Sequence, residues 1–570
     1  MYVLGVWDGH DAGAALVEDG KVVFAANEER FTRRKLEIKF PVHSIAAALK
    51  HADLKPSDIE DISFTTTEFT KMLDRVFPVI KENYYQFRRR KMLKPRIWDI
   101  KHNHWLKYTM TGIGVIPGTK MVSRAQVSRE LRRLGFSNFR LDVVEHHTAH
   151  AATAAFTSGM NKALVVTLDG LGDGLCGSIS TLENGKLERR QAVRARDSIG
   201  IFYEQVTNIL GMRELEDEGK IMAMACYSYP FPWEENKFRD FFKVEGTQIT
   251  AKYGWIRQYG ILSRISWQMP REQFAYMAQQ LLEYTLGKWV SNAMDRYNMH
   301  DVVLAGGIFA NVKANMVVRN LEQLRHWYVF PHMGDGGIAL GSALYTNYTK
   351  TGKSDYDFSA YLGTGYSTEE TEQLLKGDRS LVIQRETPME NAAHAAELIA
   401  KKNYLFWFQG RMEYGPRALG DRSILAPADD EDVKEKLNIH VKKREWFQPF
   451  CPSMLETEAA NILDYDTKGA DRFMTMAYRV KKERQNLTRA VMHIDGTARP
   501  QMVGDENKPY QELLRKMKKA TGAGVVLNTS FNLHGFPIVM TPEDAVSVMK
   551  STKTKYMFIN GLFITNKAGV

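Results

Sequence analysis

Two histidines four residues apart, His146 and His150 in EHHTAHAATAAF, stand in a segment rich in helix formers. That spacing puts both imidazoles on one helix face, where a single metal ion can take them together. His147 points elsewhere and is the weaker ligand candidate. Because such a pair also arises by chance, two carboxylates matter. Asp169 ends the apolar run VVTL in LDGLGDG, and Asp335 sits in PHMGDGG. Both occupy glycine turns from which a carboxylate can project off a sheet edge. Two imidazoles plus carboxylates, with positions left open, suit Fe(II), with Zn(II) or Mn(II) as alternatives. Such an ion would act as a Lewis acid on nucleotide phosphates.

The same turns supply Gly170 and Gly172, where a missing Cβ lets backbone N–H groups approach phosphate oxygens. In LAGGIFANVKAN, Gly306 and Gly307 followed by Asn311 and Asn315 are placed to contact ribose and adenine. Tight strand-to-helix packing explains that motif equally well. A second group of chemistry-bearing residues lies far downstream. QGRMEYGPRALGDRSILA carries Arg411, Arg417 and Arg422 among glycines, and HVKKREWFQPF adds Lys442, Lys443 and Arg444. Guanidinium forks around flexible turns bind oligoanions bidentately, which favours a phosphate or acyl-phosphate site over a solvated charge run. LNTSFN offers Asn528, Ser530 and Asn532 to a small polar ligand, although such clusters also occur in ordinary turns.

These residues need a scaffold. YVLGVWD reads as a buried strand ending at Asp8-Gly9-His10, and AALVEDGKVVFAAN as two strands joined around Asp19-Gly20, a strong hairpin signal. ALVVTLDGLGDG followed by GSISTLENGKLERR repeats that arrangement about 160 residues on, as an internal duplication would. The predicted class is α/β, with a duplicated N-terminal domain of the kind found in actin, sugar kinases and heat-shock chaperone ATPases. From about Tyr345 the chain turns polar, which predicts a boundary between a first domain over 1–350 and a second α/β domain over 358–570. Ser367 with Glu370 forms a capping box that opens the next helix.

Length and composition fit two large globular domains: 570 residues, 44% apolar and 25% charged. Three cysteines without CxxC spacing, no signal-peptide pattern and no apolar run long enough to span a bilayer predict a cytoplasmic protein without membrane partners. The net charge of +10 includes nine Lys/Arg against two acids between Lys81 and Tyr108, interleaved with aromatic residues. Such a mixture suits nucleic acid. A helical insertion or a lid over the active site is the favoured reading, so nucleic acid is not the expected partner.

Taken together, VLGVWDGHDAGAALVEDGKVV, EERFTRRK, EHHTAHAATAAF, LDGLGDG, LAGGIFANVKAN, PHMGDGG, LGTGYS, GRMEYGPRALGDRSIL, KKRE and LNTSFN resemble the NodU/CmcH carbamoyltransferases along nearly the whole chain. The resemblance implies a TsaD-like N-terminal domain and a YrdC-like C-terminal domain. It further implies an ATP-dependent O-carbamoyltransferase. Carbamoyl phosphate and ATP, with Mg2+, would give carbamoyl-adenylate and pyrophosphate in the second domain. The carbamoyl group would then pass to a hydroxyl of a small-molecule acceptor, such as an antibiotic, a sugar or another natural product. By the same resemblance, His146, His150, Asp169 and Asp335 hold iron, while His10 with Asp8 orients or deprotonates the acceptor. Arg417, Lys443, Arg444 and Asn528 bind carbamoyl phosphate and ATP, with Arg411, Arg422 and Ser530 beside them. EDEGKIMAMA matches only in part, and through it Glu218 and Lys220 join the N-terminal nucleotide site. The segment from about Phe77 to Thr111 departs from the family motifs and is expected to shape specificity for a large or anionic acceptor. A homodimer is compatible with the sequence. Rival readings are a tRNA threonylcarbamoyl-transfer enzyme and a non-enzymatic ATP-binding scaffold of the actin and chaperone class.

Overall fold

The computed structural model describes residues 1–89, 109–466 and 468–569. Most of the basic-aromatic segment, including Lys91, Trp98 and Trp105, lies outside the described residues. Contacts divide the chain into two compact units, Met1–Glu28 with Glu37–Phe358, and Glu29–Leu36 with Ser359–Val570. The eight residues Glu29–Leu36 therefore belong to the second unit, a discontinuity that the contiguous domains expected from the sequence did not contain. Among the described residues no helix is long and apolar enough to cross a membrane.

The first unit holds two five-stranded sheets of one topology. In the first, β1 (Tyr2–Trp7), β2 (Gly13–Glu18) and β3 (Lys21–Asn27) form an antiparallel meander, and β4 (Asp61–Thr65) and β5 (Arg140–Val144) add in parallel, giving the order β3-β2-β1-β4-β5. In the second, β6 (Lys162–Gly172), β7 (Leu175–Glu183) and β8 (Lys186–Arg194) make the meander. The hairpin β9 (Phe242–Glu245) and β10 (Gln248–Ala251) stands apart, and β11 (Asp301–Ala305) and β12 (His326–Val329) complete the order β12-β11-β6-β7-β8. The same order and the same strand directions twice over are the duplication that the paired hairpin signals predict. Buried Val, Leu and Ala side chains line the strands, and the helix Ile338–Thr351 packs against β1.

The second unit is a mixed eight-stranded sheet. Its strands are β13 (Leu381–Arg385), β14 (Leu405–Phe408), β15 (Arg422–Ala426) and β16 (Cys451–Leu455), followed by the short pair β17 (Tyr478–Arg479) and β18 (Thr497–Ala498), which lies outside it. With β19 (Gln501–Val503), β20 (Val525–Ser530), β21 (Tyr556–Ile559) and β22 (Leu562–Asn566), the order is β13-β22-β21-β14-β15-β20-β16-β19. Trp407, Leu425, Val526 and Phe558 on the sheet meet Ile399, Tyr510 and Leu514 from the helices Pro388–Ala400 and Lys508–Thr521 in one core. Ser367 and Glu370 form the reciprocal cap on the helix Thr368–Leu375.

Candidate metal centre and a second, cationic site

His146 and His150 lie on the helix Glu145 caps, His146–Thr157, which is buried along most of its length. Asp169 is presented by a local break in the sheet. The β6–β7 ladder pairs Leu168 with Gly177 and next pairs Gly172 with Leu175, so residues 169–171 stand opposite a single residue and bulge from the ladder. Asp335 opens a short turn before the helix Ile338–Thr351. These three elements bring the groups together. His150 Nε2 is 3.2 Å and His146 Nε2 3.4 Å from Asp169 Oδ2, and each is 3.5 Å from Asp335 Oδ1. One donor atom from each of the four residues lies within 4.8 Å of the others.

The surroundings orient this donor set. The Thr66 hydroxyl lies 3.0 Å from His146 Nδ1, which leaves Nε2 to face the carboxylates. Thr66 itself has φ 65°, an unusual conformation for a β-branched residue. Backbone N–H groups of Gly170 and Gly307 donate to Asp169 Oδ1 at 2.7 and 3.1 Å, so its other oxygen turns to the imidazoles. Asp173 ties the parts together by accepting from the N–H groups of Thr67, Glu68 and His146. A Cβ on Gly172 would come within 2.3 Å of the His146 ring, so only glycine lets this turn approach the histidine.

Electrostatics also favour a cation. Burial would raise the Asp169 pKa, but hydrogen bonds from His146 and His150 hold it well below the ordinary range. Burial drives Asp335 well above that range, opposed by His146 and reinforced by the Asp169 charge. Two buried carboxylates facing each other disfavour carrying charge together, a cost that a divalent ion would offset. Two imidazoles and two carboxylates fit a first-row divalent ion.

His10 Nε2 is 3.5 Å from Asp335 Oδ2, and its ring meets Tyr85 edge-on. Burial, and then the charges of Arg89 and Arg88, push its pKa down to about 3, so the imidazole is neutral at pH 7. Asp8 is different. Burial alone would raise its pKa, but Arg75 at 2.8 Å and Lys71 at 3.2 Å hold it far below the usual range, and Lys71 and Lys81 also bond its carbonyl. Asp8 thus serves as an anchor for the helices Phe69–Val76 and Pro78–Arg88. The arginines of this segment are neutralised as well. Arg88 pairs with Glu204 and Glu214, and Arg89 lies 4.0 Å from Glu216. Described this far, the segment offers no surplus positive charge for an anionic acceptor.

The expected N-terminal nucleotide residues separate into groups. Gly306, at φ 110°, permits close packing of its turn on Leu168, where a Cβ would meet the Leu168 carbonyl oxygen at 2.2 Å. Asn311 caps the helix Val312–Arg319 and exchanges hydrogen bonds with Gln279. Asn315 donates to the Phe309 carbonyl. Glu218 is buried, and burial followed by the Glu204 charge raises its pKa to about 8. Lys220 pairs with Asp217 at 2.9 Å.

In the second unit the cations fall into two kinds. Arg411 donates to the carbonyls of Gly363 and Leu362, and Arg422 donates to the carbonyls of Gln409 and Asp421 while lying over the Phe408 ring; both are framework residues. Arg417, Arg444 and Arg499 instead interact with Cys451, although Arg444 also donates to Asn438 Oδ1 at 2.9 Å and more weakly to the Pro449 and Gln448 carbonyls. Arg499 donates to the Cys451 sulfur at 3.0 and 3.2 Å. Burial, and then the Arg499 charge, lower the Arg417 pKa to about 9. Among the described residues no carboxylate forms an ion pair with Arg417 or Arg499. The buried Lys442 amine reaches Ser530 and Asn532, whereas its neighbour Lys443, at φ 44° after a π-helical turn, is exposed. Asn528 Nδ2 donates to the Ala418 carbonyl, Ser453 and Gln501, and its Oδ1 is buried without a partner.

Family models match both units. The carbamoyltransferase N-terminus matches residues 2–344 and the carbamoyltransferase C-terminus residues 396–566. The chain belongs to the carbamoyltransferase family. An uncharacterized protein of Methanocaldococcus jannaschii is 32% identical, with 98% of each chain covered. The nodulation protein NolNO of Sinorhizobium fredii is 30% identical over 98% of this chain and 79% of its own. Nodulation protein U of Rhizobium tropici is 24% identical over 100% of this chain and 96% of its own. Among solved structures, HypF of T. kodakarensis matches 62% of this chain and 48% of its own at 13% identity, with a TM-score of 0.35.

Several residues around the two sites of this carbamoyltransferase-family protein escaped sequence reasoning. Thr66, Lys71 and Arg75 carry no motif, and their roles appear only where the chain after β4 meets His146 and the helix Phe69–Val76 meets Asp8. Arg499, in GTARP, stands alone in the sequence and joins the cationic group only because Cys451 lies on a nearby strand. Lys442 and Lys443 could be separated only by the turn between them.

Proposed function

We propose that this protein is an ATP-dependent O-carbamoyltransferase with two reaction sites. The observation that carries the reading is the cluster of Arg417, Arg444 and Arg499, guanidinium groups held together without ion-paired carboxylates on the first and last of them. Such an arrangement is unfavourable until an oligoanion joins it. Carbamoyl phosphate and ATP together supply that charge: water releases phosphate from carbamoyl phosphate, and an oxygen of the resulting carbamate displaces pyrophosphate at the α-phosphorus of ATP to give carbamoyl-adenylate.

In the first unit His146, His150, Asp169 and Asp335 would hold a divalent ion, with Fe(II) favoured and Zn(II) or Mn(II) as alternatives. When bound, the ion supplies Lewis-acid stabilisation of phosphate charge. The protein's own groups do the rest. Thr66 and the Gly170 and Gly307 N–H groups fix the ligands, so little reorganisation is needed as charge develops. His10, neutral and 3.5 Å from Asp335, is positioned to orient an acceptor hydroxyl. Exchanging phosphate for AMP gives this site a nucleoside whose binding energy positions the carbonyl carbon.

The test is incubation of the purified protein with ATP and carbamoyl phosphate, without acceptor, followed by mass spectrometry. Carbamoyl-AMP together with pyrophosphate is the expected outcome. Phosphate and ADP alone would overturn the reading.

A further inference from the structure

Cys451 opens strand β16 and lies directly opposite Asn528 of β20 in the antiparallel ladder, so the two side chains share a face. Its sulfur receives two donors from one guanidinium, Arg499 Nε at 3.2 Å and Nη2 at 3.0 Å. Arg444 stacks on the adjacent Phe450 ring at 4.1 Å, and both it and Arg417 interact electrostatically with Cys451. A fork of two charged donors on one sulfur stabilises negative charge that develops there during reaction. Asn528 Oδ1, on the same face and buried without a partner, is a second sign that this pocket is completed by something beyond its own side chains.

The other cysteines lack this setting. Cys176 is buried, its sulfur donates to the Arg194 carbonyl, and burial pushes its thiol well above the ordinary range. Cys226 donates to the Met222 carbonyl. Thiolate chemistry is favoured by cations within hydrogen-bond reach, and only Cys451 has them at that distance among the described contacts. At 5% exposure it excludes bulky reagents and selects small ones.

We propose that Cys451 is a redox-sensitive switch of the cationic site, with hydrogen peroxide as the oxidant. Reacting as thiolate, the sulfur attacks one peroxide oxygen, an S–O bond forms as the O–O bond breaks, and the departing hydroxide takes the proton of the new sulfenic acid, leaving water and a sulfenate. Sulfur is oxidised by two electrons and peroxide is reduced by two. The sulfenate places an anionic oxygen among Arg417, Arg444 and Arg499 and so competes with a phosphate-bearing substrate. Thiols reverse the step. The inference rests on reading that cluster as an anion site.

The test treats the full chain with hydrogen peroxide, with and without inorganic phosphate, then unfolds it, traps sulfenate with dimedone and measures each cysteine by mass spectrometry. Cys451 should oxidise about tenfold faster than Cys176 or Cys226, and phosphate should slow it severalfold. Arg499→Met should remove most of that rate advantage. Any ATP-dependent pyrophosphate release should fall in step with Cys451 oxidation and return with dithiothreitol, and Cys451→Ala protein should lose none of its activity to peroxide. Oxidation no faster than at Cys176, or oxidation that phosphate does not slow, would overturn the proposal. The labelling is read without turnover, so phosphate-protected oxidation in a protein that makes no carbamoyl-AMP would sustain this inference while the proposed function fell.

Discussion

The two candidate sites are built on opposite electrostatic plans. In the first unit, carboxylates and imidazoles converge in a donor set that suits a cation; in the second, guanidinium groups converge in a way that suits an anion. Each places like charges together in a buried setting, which costs folding free energy unless a ligand is bound. The lesson is that charge left unbalanced on purpose marks a site, whereas balanced charge marks framework. Arg88 with Glu204 and Glu214, Asp8 with Arg75, and Arg422 against backbone carbonyls are all balanced.

His146→Ala with Asp169→Asn should abolish stoichiometric metal, measured by inductively coupled plasma mass spectrometry, while ATP-dependent pyrophosphate release falls far less; parallel loss of both would mean the two sites do not divide the chemistry. Arg88→Ala should act on stability, lowering it by about 3–5 kcal/mol because the buried Glu204 and Glu214 carboxylates would lose the guanidinium that faces them both. Urea denaturation reads this directly, and an unchanged midpoint with a raised acceptor KM would return the segment to an acceptor-binding role. Thr66→Ala should weaken metal affinity about 10–100-fold by freeing His146 Nδ1, as loss of an outer-shell partner does. Competition with a chelator provides the measurement. The smallest effect sharpens the second site: Lys443→Ala should change stability by less than about 0.5 kcal/mol, as exposed substitutions do. Arg417→Ala, in contrast, should weaken ATP or carbamoyl phosphate binding measurably by calorimetry.

How far the sequence disclosed this follows from the range of each signal. The imidazole pair was legible because i, i+4 spacing is a local property of a helix, and the duplicated meander because hairpin turns leave marks within a few residues. The bulge that presents Asp169 was not, since it exists only as a mismatch between two strands. Arg411 and Arg422 looked like Arg417 because a guanidinium that donates to carbonyls and one that awaits an anion share the same letter. Lys443 was singled out over Lys442, which is the buried one, because alternation across a π-helical turn ending in a left-handed residue does not follow the helical period. Nothing in EERFTRRK distinguishes a segment of one unit from a segment of the other.

That last segment has a practical consequence. Arg30 donates to the Gly415 carbonyl, and Arg33 donates to the carbonyls of Pro537 and Ile538 and faces Asp544, so eight residues complete a unit whose remainder follows more than three hundred residues later in the chain. A fragment cut after Phe358 would carry a stretch of peptide with no fold to join, and its counterpart would lack a piece of its own structure. Separate expression of the two halves should therefore succeed only when the missing peptide is supplied, in trans or by circular permutation.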